Sequence, residues 1–268
     1  MSGPWAGRWA LVTGASAGIG VALARELAAG GANLVLTARR KDRLETLAQD
    51  LSAAHKIRTE VFAADLAQAG APQQIYAYTV AKQINVDVLI NNAGFGAYGE
   101  FATVEAQRLL DMVQVNCSAV VHLTRLYLPN MLKQRRGDVL IVASTASFQA
   151  VPFISTYAAT KAFDLLLAEG LAEEVRPHGV RVCALCPGST ESEFLEVAGQ
   201  SGVASSMKNR ETAEKVAHVG LQALAAGKSY VISGAGNYFG AHSQRLVPRR
   251  VVTRIAGKMF RPSDAKST

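Results

Sequence analysis

Tyr157 and Lys161 stand four residues apart in "ISTYAATKAFDLLL", a stretch whose other members are mostly small or apolar. On a helix that spacing puts the phenol and the ammonium on one face. A free tyrosine, with a reference pKa of about 10, holds its proton too tightly to work efficiently in both directions at neutral pH. A nearby ammonium stabilises phenolate and lowers that pKa. Such a pair suits proton transfer to or from an oxygen whose charge changes during a reaction. Tyr157 is therefore the candidate proton donor and Lys161 its electrostatic partner.

A second constellation lies near the start of the chain. "TGASAGIG", Thr13 to Gly20, follows an apolar run and precedes a helical pattern. Gly14, Gly18 and Gly20 let the backbone turn tightly, approach a pyrophosphate and start a helix whose N–H groups face the anion; Ser16 and Ile19 complete the candidate loop. The next apolar run ends "LTARRKDR", with Ala38 where an NAD site commonly carries Asp or Glu. Arg39 and Arg40 follow, and a guanidinium can hold a 2′-phosphate through paired charged hydrogen bonds. The expected cofactor is NADP(H) rather than NAD(H); the other use of these arginines, with Arg43, is a solvated helix start. Asp65, followed by Leu66, could accept from an adenine amino group or cap the next helix. Asn91, Asn92, Ala93 and Gly94 form a small-residue turn able to lie close to a cofactor's adenosine and ribose, or to serve as a turn alone.

The elements that must place these groups alternate. Runs such as "RWALVTG", "ANLVLTA", "VDVLINNAG", "GDVLIVAST" and "VRVCALCPG" have strand character. Helical periodicity fills 18–30, 41–53, 70–84, 103–135, 154–177 and 212–226. Strand alternating with helix implies a parallel sheet covered on both faces, an α/β doubly wound Rossmann fold in one domain over 1–268. Residues 189–211, Ser/Gly-rich after a Pro-Gly, are the expected substrate lid.

Composition narrows the class. The chain has 268 residues, 49% of them hydrophobic, enough for one sizeable core. No apolar run reaches the roughly 18 to 20 residues of a membrane span, and no signal-peptide pattern opens the sequence, so a cytoplasmic protein is expected. Of three cysteines, Cys183 and Cys186 form a CxxC on strand-like sequence, where residues three apart point to opposite faces; no redox or metal pair is expected. Much of the +7 net charge sits in a basic amphipathic C-terminal extension, 241–268, where seven Lys and Arg face a lone Asp264. That extension could lie on an anionic membrane or hold an acyl-bearing partner, but packing by one face on the domain is the favoured expectation. Nucleic acid is not an expected partner, because no zinc spacing, recognition-helix pattern or aromatic ribonucleoprotein motif accompanies the charge.

Taken in order, "TGASAGIG", "NNAG", Asn116 in "VQVNCSA", Ser144 in "IVASTAS", "YAATK" and Pro187-Gly188 resemble the short-chain dehydrogenase/reductase family across nearly all of residues 8 to 234. The resemblance implies a seven-stranded sheet of order 3-2-1-4-5-6-7 and an oxidoreductase moving hydride between a nicotinamide and a carbonyl or secondary alcohol. It implies that Tyr157, Lys161, Ser144 and Asn116 are catalytic. Lys161 would also bind the nicotinamide ribose and Ser144 the substrate oxygen. Asn116 would hold a helix distortion and a water linking Lys161 to solvent. Pro187, Gly188 and Thr190 would border the nicotinamide, with Ser192 where the family commonly has a later Thr. A homodimer through the long helices is implied, with a tetramer left open by the departure of "SYVISGAGN" from the usual Gly-Gly ending. Phe95, Phe148, Val151, Phe153 and Phe194 could line a pocket for a hydrophobic ketone, steroid or lipid-like substrate, or could simply pack beneath the lid. A catalytically weak nucleotide-binding regulator is the alternative function.

Overall fold

The computed structural model describes residues 3–199 and 210–262. Positions 200–209 of the expected lid and 263–268 of the C-terminal extension lie outside the described residues. Seven strands form one parallel sheet in the order β3-β2-β1-β4-β5-β6-β7, as expected. They are β1 (Trp9–Thr13), β2 (Asn33–Ala38), β3 (Thr59–Ala63), β4 (Val86–Asn91), β5 (Gly137–Val142), β6 (Val180–Cys186) and β7 (Tyr230–Ile232). β1, β4 and β5 are apolar and buried along nearly their whole length because helices cover both faces.

One face carries α1 (Gly18–Ala29), α2 (Lys41–His55) and the later α8 (Ala213–Ala225), packed through Leu23, Leu27, Leu44, Val216 and Leu224. The opposite face carries α3 (Ala71–Ala81), α4 (Ala106–Val113), α5 (Ala119–Gln134) and α6 (Ser155–Val175), with Ile75, Leu123, Tyr127, Met131 and Leu165 in its core. Cys183 belongs to the first core and Cys186 to the second, so the CxxC straddles the sheet. Burial pushes both thiols up to about 12, leaving them protonated at neutral pH.

Two departures from the expected elements bear on the site. The helix expected over 103–135 is split: between α4 and α5, Gln114–Ser118 form a π-helical turn that contains Asn116. The C-terminal extension becomes helical before residue 241, as α9 (Ala235–Ser243), a 3₁₀ turn at Gln244–Leu246 and α10 (Arg249–Met259). α10 buries Ala256 against Val151, Ile154 and Ala158, while the Tyr98 hydroxyl donates to the Phe260 carbonyl oxygen at 2.9 Å. Within the described residues the basic segment thus packs by one face and leaves Val251, Ile255 and Met259 exposed.

Candidate active site

The strand order reverses between β1 and β4, and both lead into turns beside the crevice that this reversal creates. Gly14 adopts φ +66°, and a β-carbon there would lie 2.8 Å from Asn92 Nδ2 and 2.9 Å from Ala93 Cα. One on Gly20 would lie 2.2 Å from the Gly14 carbonyl oxygen, closer than any side chain can approach. Thr13 ties the two turns together: its Oγ1 accepts from the backbone N–H groups of Asn92 and Ala93, each at 2.9 Å. Among the described residues no side chain caps the first turn of α1, whose N–H groups remain available to an anion. These glycines and open donors fit a dinucleotide pyrophosphate.

At the edge of this cradle the Arg40 guanidinium donates to Ser16 Oγ at 3.2 Å and to Glu193 at 2.8 Å. Arg43 reaches the other Glu193 oxygen at 2.7 Å. Hydrogen bonding from Arg43 and then Arg40 holds the Glu193 carboxyl below its usual range. Arg39 is exposed and makes none of the hydrogen bonds of this cluster. Asp65 accepts from the Ala67 N–H at 3.1 Å, so one of its oxygens closes a local turn, and Leu66 is buried.

α6 brings Tyr157 and Lys161 to the same face, and the 3₁₀ turn Thr145–Phe148 places Ser144 beside the phenol. Lys161 Nζ donates to the Val142 carbonyl oxygen at 2.7 Å and to Asp164 Oδ2 at 2.9 Å. Asp164 is fully buried, and its Oδ1 accepts no hydrogen bond among the described residues. Burial alone would lower the Lys161 pKa, but attraction to Asp164 and Tyr157 together outweighs it and holds the ammonium charged. The expected lowering of the Tyr157 pKa is not what the environment produces. Desolvation raises it, and the opposing effects of Lys161 and the Ser144 hydroxyl do not cancel that rise.

Asn116 grips the loop after β4: its Oδ1 accepts from Phe95 N–H at 3.1 Å, and its Nδ2 donates to Phe95 O and Thr160 Oγ1, both at 3.0 Å. A β-carbon on Gly94 would lie 3.1 Å from Asn116 Oδ1 and 3.4 Å from Lys161 Nζ, so this turn passes directly over the lysine. Pro187 accepts from the Thr145 N–H at 2.8 Å, and Thr190 Oγ1 donates to Gly188 O at 3.1 Å. Gly188 itself lies against Asn237 of α9.

The aromatic candidates separate. Phe194, in the short helix α7 (Phe194–Val197), packs on Tyr157 with ring centroids 5.2 Å apart. Phe148 instead packs between Tyr230 and His242, and the Arg108 guanidinium covers Phe95 at 5.5 Å. Phe153, at φ +67°, lines a neighbouring cleft with Ala97, Phe101 and Pro152. Val151 joins the apolar group of Ile154, Ala158 and Ala256, against which Tyr98, Tyr157 and Phe260 pack. Asp164, Glu193, Tyr98 and Phe260 were absent from the candidate residues. Asp164 carried a local signal, three residues after Lys161; the others meet the site only through tertiary folding.

A model of the short chain dehydrogenase family matches residues 8–201. The very-long-chain 3-oxoacyl-CoA reductase of Phaeosphaeria nodorum is 38% identical over 180 residues, which are 66% of this chain and 53% of that protein. Its counterpart in Bos taurus is 34% identical over 199 residues, 73% of this chain and 63% of that protein. The chain spans about half the length of the first of these curated relatives and under two thirds of the second. Among solved structures, a short-chain dehydrogenase from Sphingobium yanoikuyae in complex with NADPH is 27% identical, with a TM-score of 0.80 over 97% of this chain and 98% of that one. A 7beta-hydroxysteroid dehydrogenase is 26% identical, with a TM-score of 0.85 over 94% and 98% of the respective chains.

Proposed function

This chain belongs to the short-chain dehydrogenase/reductase family, and from that premise we propose that it is an NADP(H)-dependent oxidoreductase acting between a hydrophobic, lipid-like ketone and its secondary alcohol. The observation that carries this reading is the position of Tyr157. It lies between Lys161, under the Gly94 turn, and an apolar group built from Val151, Ile154, Tyr98, Phe260 and the ring of Phe194.

When bound, the nicotinamide supplies or accepts the hydride. Tyr157 donates its proton to the carbonyl oxygen as charge develops there, and Ser144 donates a hydrogen bond to that oxygen. The Lys161 ammonium stabilises the phenolate that remains. With two of its three N–H donors on Val142 and Asp164, Lys161 keeps one for a ribose hydroxyl. Asn116 holds the Phe95 backbone, and with it the turn above Lys161. Tyr157 is protonated at neutral pH, the form carbonyl reduction requires, and the Lys161 ammonium and the Ser144 hydroxyl oppose the rise in pKa that desolvation imposes on it.

Two features support NADP(H): Arg40 converges on Ser16 at the edge of the cradle, and β2 ends in Ala38 rather than in Asp or Glu. A lipid-like substrate is supported by the apolar wall and by the names of the relatives, which are 3-oxoacyl-CoA reductases and a hydroxysteroid dehydrogenase. A cytoplasmic setting and a homodimer belong to the same proposal. The dimer is supported by the exposed apolar side chains of α4, α5 and α6.

The test is a panel of 3-oxoacyl thioesters, steroid ketones and sugars, each run with NADPH and NADH. Turnover of the apolar ketones with NADPH is expected. Tyr157→Phe should lower kcat by about 10²- to 10⁴-fold while leaving cofactor affinity nearly unchanged. No turnover across the panel would favour the nucleotide-binding regulator.

A further inference from the structure

Glu193 joins two parts of the chain that are far apart in sequence. It lies just after β6, yet its two carboxylate oxygens are taken by arginines that follow β2, Oε2 at 2.8 Å from Arg40 and Oε1 at 2.7 Å from Arg43. The same Arg40 guanidinium also donates through Nε and Nη2 to Ser16 Oγ in the glycine loop, at 3.3 and 3.2 Å. The preceding residue, Ser192, rests on that loop: a β-carbon on Gly18 would lie 2.8 Å from Ser192 Cβ. The segment after β6 therefore crosses the mouth of the cradle and sets an anion where two guanidinium groups converge.

Converging guanidinium groups bind carboxylate and phosphate by the same paired geometry. We propose that Glu193 is an internal occupant of the 2′-phosphate site, a specificity-determining residue whose carboxylate competes with the 2′-phosphate of NADP(H) for Arg40 and Arg43. This inference rests on the assignment of Arg40 as a phosphate contact.

The balance favours the cofactor. Both ion pairs are about half exposed, and pairs of that kind are individually weak. A phosphate monoester carries about −1.5 to −2 charges at neutral pH and offers three acceptor oxygens. It displaces the carboxylate, but the apparent affinity is reduced by the contacts it must break. NADH has no such phosphate and leaves Glu193 in place. Displacement also reaches the chemistry, because Phe194 is the next residue and packs on Tyr157. Arrival of NADP(H) thus loosens the segment whose Phe194 packs on the phenol.

The experiment is titration of the full chain with NADPH and NADH, followed by nucleotide fluorescence. Glu193→Gln and Glu193→Ala should each tighten NADPH binding about three- to tenfold and change NADH by less than about twofold. In an Arg40→Ala/Arg43→Ala background, the same Glu193 substitutions should alter NADPH affinity by less than about twofold. The proposal is overturned by any of three results: unchanged or weaker NADPH binding, equal tightening of both cofactors, or tightening that persists without the arginines. The two claims fail separately. If removing the arginines leaves NADPH affinity intact, the phosphate assignment falls and the competition with it. If the arginines matter for NADPH and Glu193 does not, only the competition falls.

Discussion

Asp164 Oδ2 lies 2.9 Å from Lys161 Nζ, and both side chains are buried, Asp164 completely and Lys161 to 5% exposure. The lysine that faces Tyr157 is thus one half of a sealed ion pair. Removing charge from one partner of such a pair leaves the other uncompensated, at about 3 to 5 kcal/mol.

Asp164→Asn should therefore lower unfolding free energy by about 3 kcal/mol, read from urea denaturation. It should also move the pH profile of alcohol oxidation. Asp164 is among the groups that hold the Tyr157 pKa up, along with desolvation and Cys186, against Lys161 and Ser144. Without its charge the phenolate forms more readily, and the rising limb of kcat shifts to lower pH. A stability loss with an unmoved profile would leave Asp164 a purely structural partner of Lys161.

The two arginines after β2 should separate. Arg40 is bonded to the glycine loop, whereas Arg39 is exposed and outside that cluster. Arg40→Ala should weaken NADPH about 10- to 100-fold, from the loss of charged hydrogen bonds worth about 1.5 to 3 kcal/mol, and NADH by less than about threefold. Arg39→Ala should have the smaller effect in the same fluorescence titration. A reversed ranking would move the phosphate contact to Arg39.

Alkaline stability follows from Tyr127. Burial raises its phenol to about 12, against the lowering effect of its hydrogen bond with Thr79. A phenol raised in the folded state keeps its proton where the unfolded chain has lost it, so unfolding gains as pH rises. The stability is intact below about pH 10 and lost progressively toward about pH 12. Tyr127→Phe should flatten the fall in Tm across that window. Parallel curves for both proteins would place the alkaline sensitivity elsewhere, with Tyr78 the next group to test, since burial raises it similarly.

The proposed dimer can be measured directly. Leu110 and Leu166 are exposed to 62% and 68%, and Val121 and Phe163 to 41% each. Leu166→Glu should shift light-scattering mass toward that of one chain, 28.4 kDa. Wild-type protein already at that mass would remove the homodimer proposal.

Much of this architecture was legible because its causes are local. Alternating apolar runs and helical periods marked nearly every element, and the four-residue spacing put Tyr157 and Lys161 on one face. Motif order supplied the strand order. The π turn at Gln114–Ser118 was less visible: one extra residue per turn leaves little trace in an apolar pattern, although Asn116 inside it marked the place. Glu193 could not be matched to Arg40 from sequence, because 153 residues separate them and nothing local pairs them. Phe148 was grouped with the pocket for its neighbourhood, yet the 3₁₀ turn directs it to Tyr230 and His242. For Tyr157, spacing reports the Lys161 charge that lowers its pKa but not the desolvation that opposes it.

Cys183 and Cys186 supply the molecule with two internal reporters. They sit three positions apart on one strand but open to different helical layers, Cys183 to the α1, α2 and α8 side and Cys186 to the α3, α5 and α6 side. A thiol reagent reaches either sulfur only when the covering layer parts. The relative alkylation rates of the two peptides would therefore tell which half of the sandwich breathes first.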